Sequence, residues 1–175
     1  CSLLNIDTLR FSNNLKYIGG GAFYDIDSLR YLEIPYSMDS IDNYAFEHCD
    51  NLNTVVWNSP KAMLVYPNSY GYYDDGVFHE SKIKTFIFGD SVRYISEKAL
   101  YYQDSLRTVV LSNNLDSIGK EAFGYCKNLR NITFGNSLNT LVKIDENAFY
   151  NCHDMNIDTL RLGNRLKFIG GSAFQ

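Results

Sequence analysis

Apolar positions along the chain follow one short pattern that recurs about every 23 residues, most clearly from Leu106 to Leu129. Each copy starts with an apolar triplet at positions i, i+3 and i+5 and ends near an Ala-Phe pair or a variant of it. The pairs are Ala22-Phe23, Ala45-Phe46, Val77-Phe78, Ala99-Leu100, Ala122-Phe123, Ala148-Phe149 and Ala173-Phe174. Their second members are 23, 32, 22, 23, 26 and 25 residues apart. A basal period of this length with insertions indicates a solenoid.

Each unit contains the elements of one coil of such a solenoid. The last two members of the triplet alternate with polar or variable residues, which is the period of a short strand. A turn rich in Asn, Gly or Ser follows, and then a second short apolar pair such as Leu115/Ile118. The Ala-Phe segment is predicted to form about one helical turn. Because one unit cannot bury its apolar side alone, we expect the units to stack and their strands to pair.

The copy from Leu106 to Cys126 resembles the leucine-rich repeats of the BspA type found in bacterial surface proteins. Its Ser-Ile-Gly and Ala-Phe elements and the Cys that follows distinguish it from the ribonuclease-inhibitor type. The resemblance implies an α/β repeat solenoid. This would be a right-handed leucine-rich-repeat stack with one parallel β-sheet on the concave face and short strands or helical turns on the convex side. It also implies a cell-surface or secreted protein, because several members of the family are adhesins for host matrix proteins or other microbes.

The chain length of 175 residues and about seven repeats predict a single domain over residues 1–175. Cys1 occupies the same repeat position as Cys152, and the last copy is cut short at Gln175, so we interpret the chain as a fragment of a longer protein. The formal net charge is −4, and Lys and Arg form no runs, which argues against nucleic acid and anionic membranes as partners. No apolar stretch approaches the ~18 residues of a transmembrane helix.

Three of the four cysteines, Cys49, Cys126 and Cys152, lie three residues after the Phe of their unit. Other units have Ile26, Ser81 or Gln103 at this position, which we call the Cys column. A column shared by Ile and Cys is expected to point inward and to hold free thiols that pack as small hydrophobes. A disulfide between Cys126 and Cys152 in adjacent units stays open as the alternative, although parallel side-chain directions disfavour it.

The open face of the predicted sheet is the first candidate for partner binding. Between the last two triplet members lies one outward residue per unit, and Val56, Ile87 and Val110 make three consecutive aliphatic residues there. Such an apolar patch with polar neighbours is typical of a protein-binding surface, although strand propensity alone also explains it. The preceding outward column is rich in Thr. The remaining candidates on this face are Arg10, Tyr31, Glu33 and Arg161.

A Tyr-rich insertion in the third unit is the second candidate. Residues 58–76 add about nine residues directly after a strand, and the segment is expected to emerge at one rim of the sheet. Its tyrosines offer large contact area for a protein or for the faces of sugar rings: Tyr66, Tyr70, Tyr72 and Tyr73. The alternative is a variable loop whose rings pack on the solenoid. Asp74 and Asp75 lack the further oxygen ligands that a calcium site needs.

No catalytic arrangement is present in the sequence. The three histidines lie in different repeats without accompanying metal ligands, and no nucleophile motif occurs. We therefore predict a non-enzymatic recognition or adhesion domain without cofactor or metal that binds a protein, either a host matrix or a cell-surface protein. A structural spacer and a glycan-binding domain that uses the Tyr-rich loop are the alternatives.

Overall fold

The computed structural model describes residues 5–61, 64, 76–135, 139–155 and 162–175. The described residues form a solenoid of parallel strands, in which each of the first six units contributes one longer strand and six of the seven units contribute one short strand. The longer strands form a six-stranded sheet, the front sheet: β1 (Thr8–Arg10), β3 (Tyr31–Ile34), β5 (Thr54–Trp57), β6 (Thr85–Phe88), β8 (Thr108–Val110) and β10 (Asn131–Thr133). The strand predicted for the last unit falls on residues 156–161, outside the described residues.

The front sheet is continuous and in register from end to end. Each strand pairs in parallel with the strands of the neighbouring units, in the order β1-β3-β5-β6-β8-β10. Burial alternates along each strand. In β5, Val55 and Trp57 point into the core, and Thr54 and Val56 are partly exposed. The predicted strands of the first six units, their parallel pairing and their inward residues are therefore confirmed.

The second short apolar pair of the unit also forms a strand, so the predicted short strands are present. Each spans two residues: β2 (Tyr17–Ile18), β4 (Ser40–Ile41), β7 (Tyr94–Ile95), β9 (Ser117–Ile118), β11 (Lys143–Ile144) and β12 (Phe168–Ile169). They form two separate sheets, β2-β4 and β7-β9-β11-β12. The break falls at the third unit, because its described residues contain no strand of this kind.

The helical part of the prediction was wrong, and the fold is a β-solenoid rather than an α/β one. No α-helix occurs among the described residues, and the Ala-Phe segments are turns. In the unit of Ala122-Phe123, left-handed residues flank the pair, with Glu121 at φ 53° and Tyr125 at φ 60°. Two such residues within five positions stop helix propagation. The Phe123 amide donates to the Ala148 carbonyl of the next unit at 2.8 Å rather than within its own segment.

The core lies between the front sheet and the Ala-Phe turns. Phe46, Phe123 and Phe149 are almost completely buried, and Phe23 at the first turn is partly buried. The rings stack along the solenoid axis, with centroids 5.0 Å apart for Phe23–Phe46 and for Phe123–Phe149. Stacking of identical side chains makes the core of each unit continuous with that of its neighbours, as predicted for a solenoid.

Backbone hydrogen bonds join successive Ala-Phe turns, except at one level. Phe46 and His48 donate to the carbonyls of the third unit, and Leu100 and Tyr102 donate in the same way to the fifth. Among the described residues, no backbone hydrogen bond connects the turn at 76–80 with the turn at 98–103. Leu100 also interrupts the column of stacked rings. The solenoid is thus continuous at the front sheet and interrupted on its flank between the third and fourth units.

Candidate functional site

The outward aliphatic residues form one continuous row on the front sheet. The register places Val56 beside Ile87 and Ile87 beside Val110 on adjacent parallel strands. All three are partly exposed, and the buried residues on either side of each one hold it on the open face. Glu33 continues the row at one end and Thr133 at the other. The arrangement is an apolar strip with a charged and a polar end, which a complementary protein surface can cover.

A charged cluster adjoins this row on β1 and β3. The Arg10 Nε lies 3.0 Å from the Glu33 Oε2, and the Arg10 guanidinium lies 4.8 Å from the centre of the Tyr31 ring. Tyr31 donates its hydroxyl to the same Glu33 oxygen at 3.3 Å. Hydrogen bonds of the Arg10 side chain, first with Glu33 and then with Tyr31, raise the pKa of Arg10. The three side chains satisfy one another, so the cluster presents little unpaired charge beside the aliphatic row.

The other predicted candidates fall on residues that the structure does not describe. These are Arg161, Tyr66, Tyr70, Tyr72 and Tyr73, and the same holds for Asp74 and Asp75. The Thr column is present in register through Thr54, Thr85 and Thr108. Within the described part of the sheet, the hydroxyls of these three threonines form no hydrogen bonds with one another, so strand propensity accounts for the column.

The interruption on the flank opens a cleft that the sequence analysis missed. It consists of a cavity of about 390 Å³ between the turns at 76–80 and 98–103 and an adjoining cavity of about 430 Å³ that is lined by residues from 48–50, 80–82 and 102–105. Glu80, Tyr102 and Gln103 line both cavities. Three features of the sequence mark the same level: the step of 32 residues, Leu100 in place of Phe, and Gln103 in the Cys column. Each feature by itself is explained by ordinary variation between repeats, and only their occurrence at the same level of the solenoid indicates a site.

A row of tyrosines begins at one wall of the cleft. Tyr101 and Tyr102 line the cleft, and Tyr125 and Tyr150 continue the row away from it. The Tyr102 and Tyr125 rings stack with their centroids 4.6 Å apart. Tyr101 packs edge-on against both, and burial raises its pKa to about 12. The absence of a side chain at Gly124 makes this possible, because a Cβ there would lie 3.0 Å from the Tyr101 ring.

The histidines near the cleft are engaged in pairs with carboxylates of neighbouring turns. His79 Nδ1 lies 2.9 Å from Glu47 Oε1, and His48 Nδ1 lies 3.3 Å from Glu80 Oε2. The described residues contain no group of three or more His, Cys, Asp or Glu side chains that could hold a metal ion. The arrangement therefore offers paired charges and hydrogen-bonding groups for binding.

The thiols of the Cys column have a structural role. Cys126 and Cys152 are buried and free, and each donates through Sγ to a carbonyl of the preceding unit, at 3.0 Å to Leu100 and 3.1 Å to Phe123. Ser81 fulfils the same function through a 2.5 Å bond to the Phe46 carbonyl. The predicted free, inward thiols are confirmed. Burial raises the pKa of Cys152 to about 12 and that of Cys126 well above its usual value.

The chain belongs to the family of BspA type leucine rich repeat regions, whose profile matches residues 1–63 and 62–175 in six copies. No curated protein matches the chain. The described residues include no helix of the length and apolarity that crossing a membrane requires.

Solved structures share the fold at low sequence identity. A leucine-rich repeat protein from Bacteroides ovatus has a TM-score of 0.55 and 18% identity over 94% of this chain and 50% of its own. One from Eubacterium ventriosum has a TM-score of 0.60 and 20% identity over 92% and 41%. A leucine rich cell surface protein from Faecalibacterium prausnitzii has a TM-score of 0.53 and 21% identity over 91% and 40%. The chain thus spans half or less of the length of these proteins.

Proposed function

We propose that this domain is a non-catalytic recognition domain of a secreted or cell-surface protein, and that it binds a protein partner through the front sheet. Adhesion to a host matrix or cell-surface protein is the proposed use. The observation that carries the proposal is the row of Val56, Ile87 and Val110, which three adjacent strands hold partly exposed in one line. Membership of the leucine-rich-repeat family supports a binding role, and the cell-surface relative supports the proposed location.

The shape of the front sheet favours an extended macromolecule over a small metabolite. Six strands at ~4.8 Å spacing give a face about 24 Å long. The face alternates between the aliphatic row and the column of Thr54, Thr85 and Thr108, so apolar burial and hydrogen bonds are available along the same line. The cluster around Arg10 ends this line with charged groups that already pair with each other. Such groups contribute more to the orientation of a bound partner protein than to its affinity.

Substitution of the aliphatic row tests the proposal. We expect Val56→Ser, Ile87→Ser and Val110→Ser together to abolish binding of the domain to immobilised extracellular matrix extract and to intact cells. Stability changes little by comparison, because the side chains are partly exposed. The matched control is Thr54→Ser, Thr85→Ser and Thr108→Ser on the same strands, which leaves binding unchanged. Equal binding by both triple variants contradicts the proposal, and absence of any binding by the unaltered domain favours a spacer.

A further inference from the structure

The cleft on the flank lies where two neighbouring Ala-Phe turns, at 76–80 and 98–103, lack the backbone hydrogen bonds that join the other described turns. Elsewhere, the amides of the Phe and of the residue two positions later donate to the next unit. In the second unit these are Phe46, which donates to Val77 at 3.0 Å, and His48, which donates to His79 at 3.2 Å. The equivalent amides of the third unit belong to Phe78 and Glu80, and over the described residues neither has a hydrogen-bond partner.

The facing wall has the complementary groups. In the fifth unit the carbonyls of Ala122 and Gly124 accept from the fourth unit at 2.8 and 3.0 Å. The equivalent carbonyls of the fourth unit, those of Ala99 and Tyr101, accept no hydrogen bond from any described residue. One wall of the cleft therefore has two open donors and the other two open acceptors, each pair two residues apart.

Two of these four groups are unusual because they lie at the edge of the core. Phe78 and Ala99 are each only 3% exposed, whereas Tyr101 is partly exposed and Glu80 is exposed. Polar backbone groups in such positions are nearly always paired, because an unpaired one costs about 1–3 kcal/mol. An occupant that supplies both acceptors and donors would remove that cost. The cleft is thus complementary in hydrogen bonding to a chain that enters between the two turns.

Gln103 provides a second, independent observation at the same level. The other polar members of the Cys column, such as Ser81 and Cys126, donate to a carbonyl of the preceding unit. Gln103 makes no side-chain hydrogen bond to the described residues and lines both cavities. Its amide can donate and accept at once, as recognition of a backbone amide requires. The floor of the 390 Å³ cavity is apolar and is formed by Leu64, Phe78 and Leu100.

We propose that this cleft binds an extended peptide segment of a partner protein, which runs between the two turns and completes the interrupted ladder. Its carbonyls would accept from Phe78 and Glu80, and its amides would donate to Ala99 and Tyr101. The donors of one wall and the acceptors of the other each recur at every second residue, which is the alternation with which an extended peptide presents its own amides and carbonyls to each side. The combined volume of the cavities is of the size that binding pockets have, within ~300–1,000 Å³.

Most charged side chains of the walls have a partner within the protein: Lys82 lies against Asp50 and Lys98 against Glu121, and His79 and His48 lie against Glu47 and Glu80. Asp104, which lines the 430 Å³ cavity, has no ion pair with a described residue. A carboxylate that entered would lose water without gaining a free counter-charge, so the segment recognised by the cleft carries no acidic side chain. Small apolar side chains fit the floor, and polar uncharged ones fit beside Tyr102 and Gln103.

Amide hydrogen exchange of the whole chain tests the proposal directly. A phage-displayed library of linear dodecapeptides is selected against the chain, and the enriched peptide is synthesised as the probe. In the free chain, the amides of Phe78 and Glu80 exchange fast, and those of Phe46 and His48 exchange slowly. With the peptide bound, we expect exchange at Phe78 and Glu80 to slow by tenfold or more, with no change at Phe46 and His48.

Three results would overturn the proposal. The first is protection of Phe78 and Glu80 in the free chain, which means that the chain itself occupies the cleft. The second is the absence of an enriched peptide. The same conclusion holds if no peptide binds and a saccharide, identified on a glycan array, slows exchange at Phe78 and Glu80 instead. The third is a bound peptide that protects neither amide.

Backbone N-methylation of the probe separates strand-like binding from other modes. The amides of the probe that donate to Ala99 and Tyr101 belong to every second residue. Methylation of either one is expected to weaken binding by about tenfold or more, because it removes one hydrogen bond worth ~1.4 kcal/mol. Methylation of the intervening amides has little effect. Gln103→Ala also weakens binding. Equal sensitivity at all positions contradicts the inference. The triple Ser variant of the front sheet is expected to bind the peptide as tightly as the unaltered chain. Peptide binding in the cleft and partner binding on the front sheet are therefore tested separately.

Discussion

The front sheet and the row of Ala-Phe turns are built from the same repeats, yet they respond differently to the enlarged third unit. The front sheet passes through it without a change of register, because Thr54 to Trp57 pair with Thr85 to Phe88 residue by residue. The turn row has no backbone hydrogen bond between the described turns at 76–80 and 98–103, and the second row of short strands splits into two sheets.

The position of the insertion explains the difference. The extra residues follow β5 directly, so the strand itself and the strand of the next unit keep their spacing to the core. The described residues of the third unit contain no second short strand. A solenoid in which each unit contacts only its neighbours can absorb such a change locally, because the coupling between units is shared among several rows of bonds. Loss of one row leaves the stack intact and creates a cleft.

The largest expected effect comes from removing a ring in the intact part of the turn row. Phe123→Ala deletes a buried ring stacked 5.0 Å from Phe149, and we expect a loss of about 3–5 kcal/mol in the free energy of unfolding. Leu100→Ala, beside the cleft, should cost about 2 kcal/mol, at the low end for such a change, because an adjacent cavity already limits its packing. Urea denaturation measures both. Equal losses would show that the flank is as tightly packed at the cleft as elsewhere.

The next effect arises where backbones of adjacent units approach closely. An added Cβ at Gly119 would lie 2.7 Å from the Glu97 amide nitrogen and 2.8 Å from the Ile95 carbonyl oxygen. We expect Gly119→Ala to destabilise the domain by about 1–3 kcal/mol, as overpacking does. Gly171→Ala is the matched control, because nothing lies within 4 Å of its Cβ position. A comparable loss in the control, measured by thermal unfolding, would contradict close packing as the cause.

The sequence predicts the periodic parts of this molecule and misses what depends on contacts between particular units. The strands, the short second strands and the inward Cys column follow from positions that recur with the period, as Val109, Ile118 and Cys126 illustrate. The helical turn was predicted wrongly, because Ala and Phe within one unit are compatible with a helix. Only the stacked neighbour provides the acceptor that the Phe123 amide binds in preference to its own segment.

The cleft could not be predicted for a related reason. Leu for Phe at position 100 is a conservative change, and Gln103 is one of several residue types in its column. Whether Phe78 and Ala99 are bonded depends on the distance between two turns, which no single unit encodes. The row on the front sheet was predictable because the outward position is fixed by strand period alone, and Ile87 lies where that period places it.

A smaller effect is expected from the buried Cys49 thiol, which makes the stability of the domain depend on pH. Burial raises the pKa of Cys49 to about 11, so the folded state holds the proton more tightly than the unfolded chain, whose thiol titrates near 9.0. Its contribution to stability is therefore complete below pH 9 and is lost as the pH rises towards 11. Cys49→Ser removes this titration. We expect the stability of the unaltered domain relative to the variant to fall between pH 9 and 11 in urea denaturation. A constant difference would contradict burial of the thiol.

The smallest effect is expected at the charged edge of the front sheet. Glu33→Gln removes the ion pair with Arg10, whose side chain is 62% exposed, and solvent screens such pairs strongly. The unfolding midpoint should stay within experimental error at both low and high salt, because Tyr31 still contacts the guanidinium. Tyr31→Ala serves as the comparison, since it removes ring packing as well as a hydrogen bond. A clear, salt-dependent shift for Glu33→Gln would show that this edge is more rigid and less solvated than its exposure indicates. It would also make the charged cluster, rather than the aliphatic row, the better anchor for a partner.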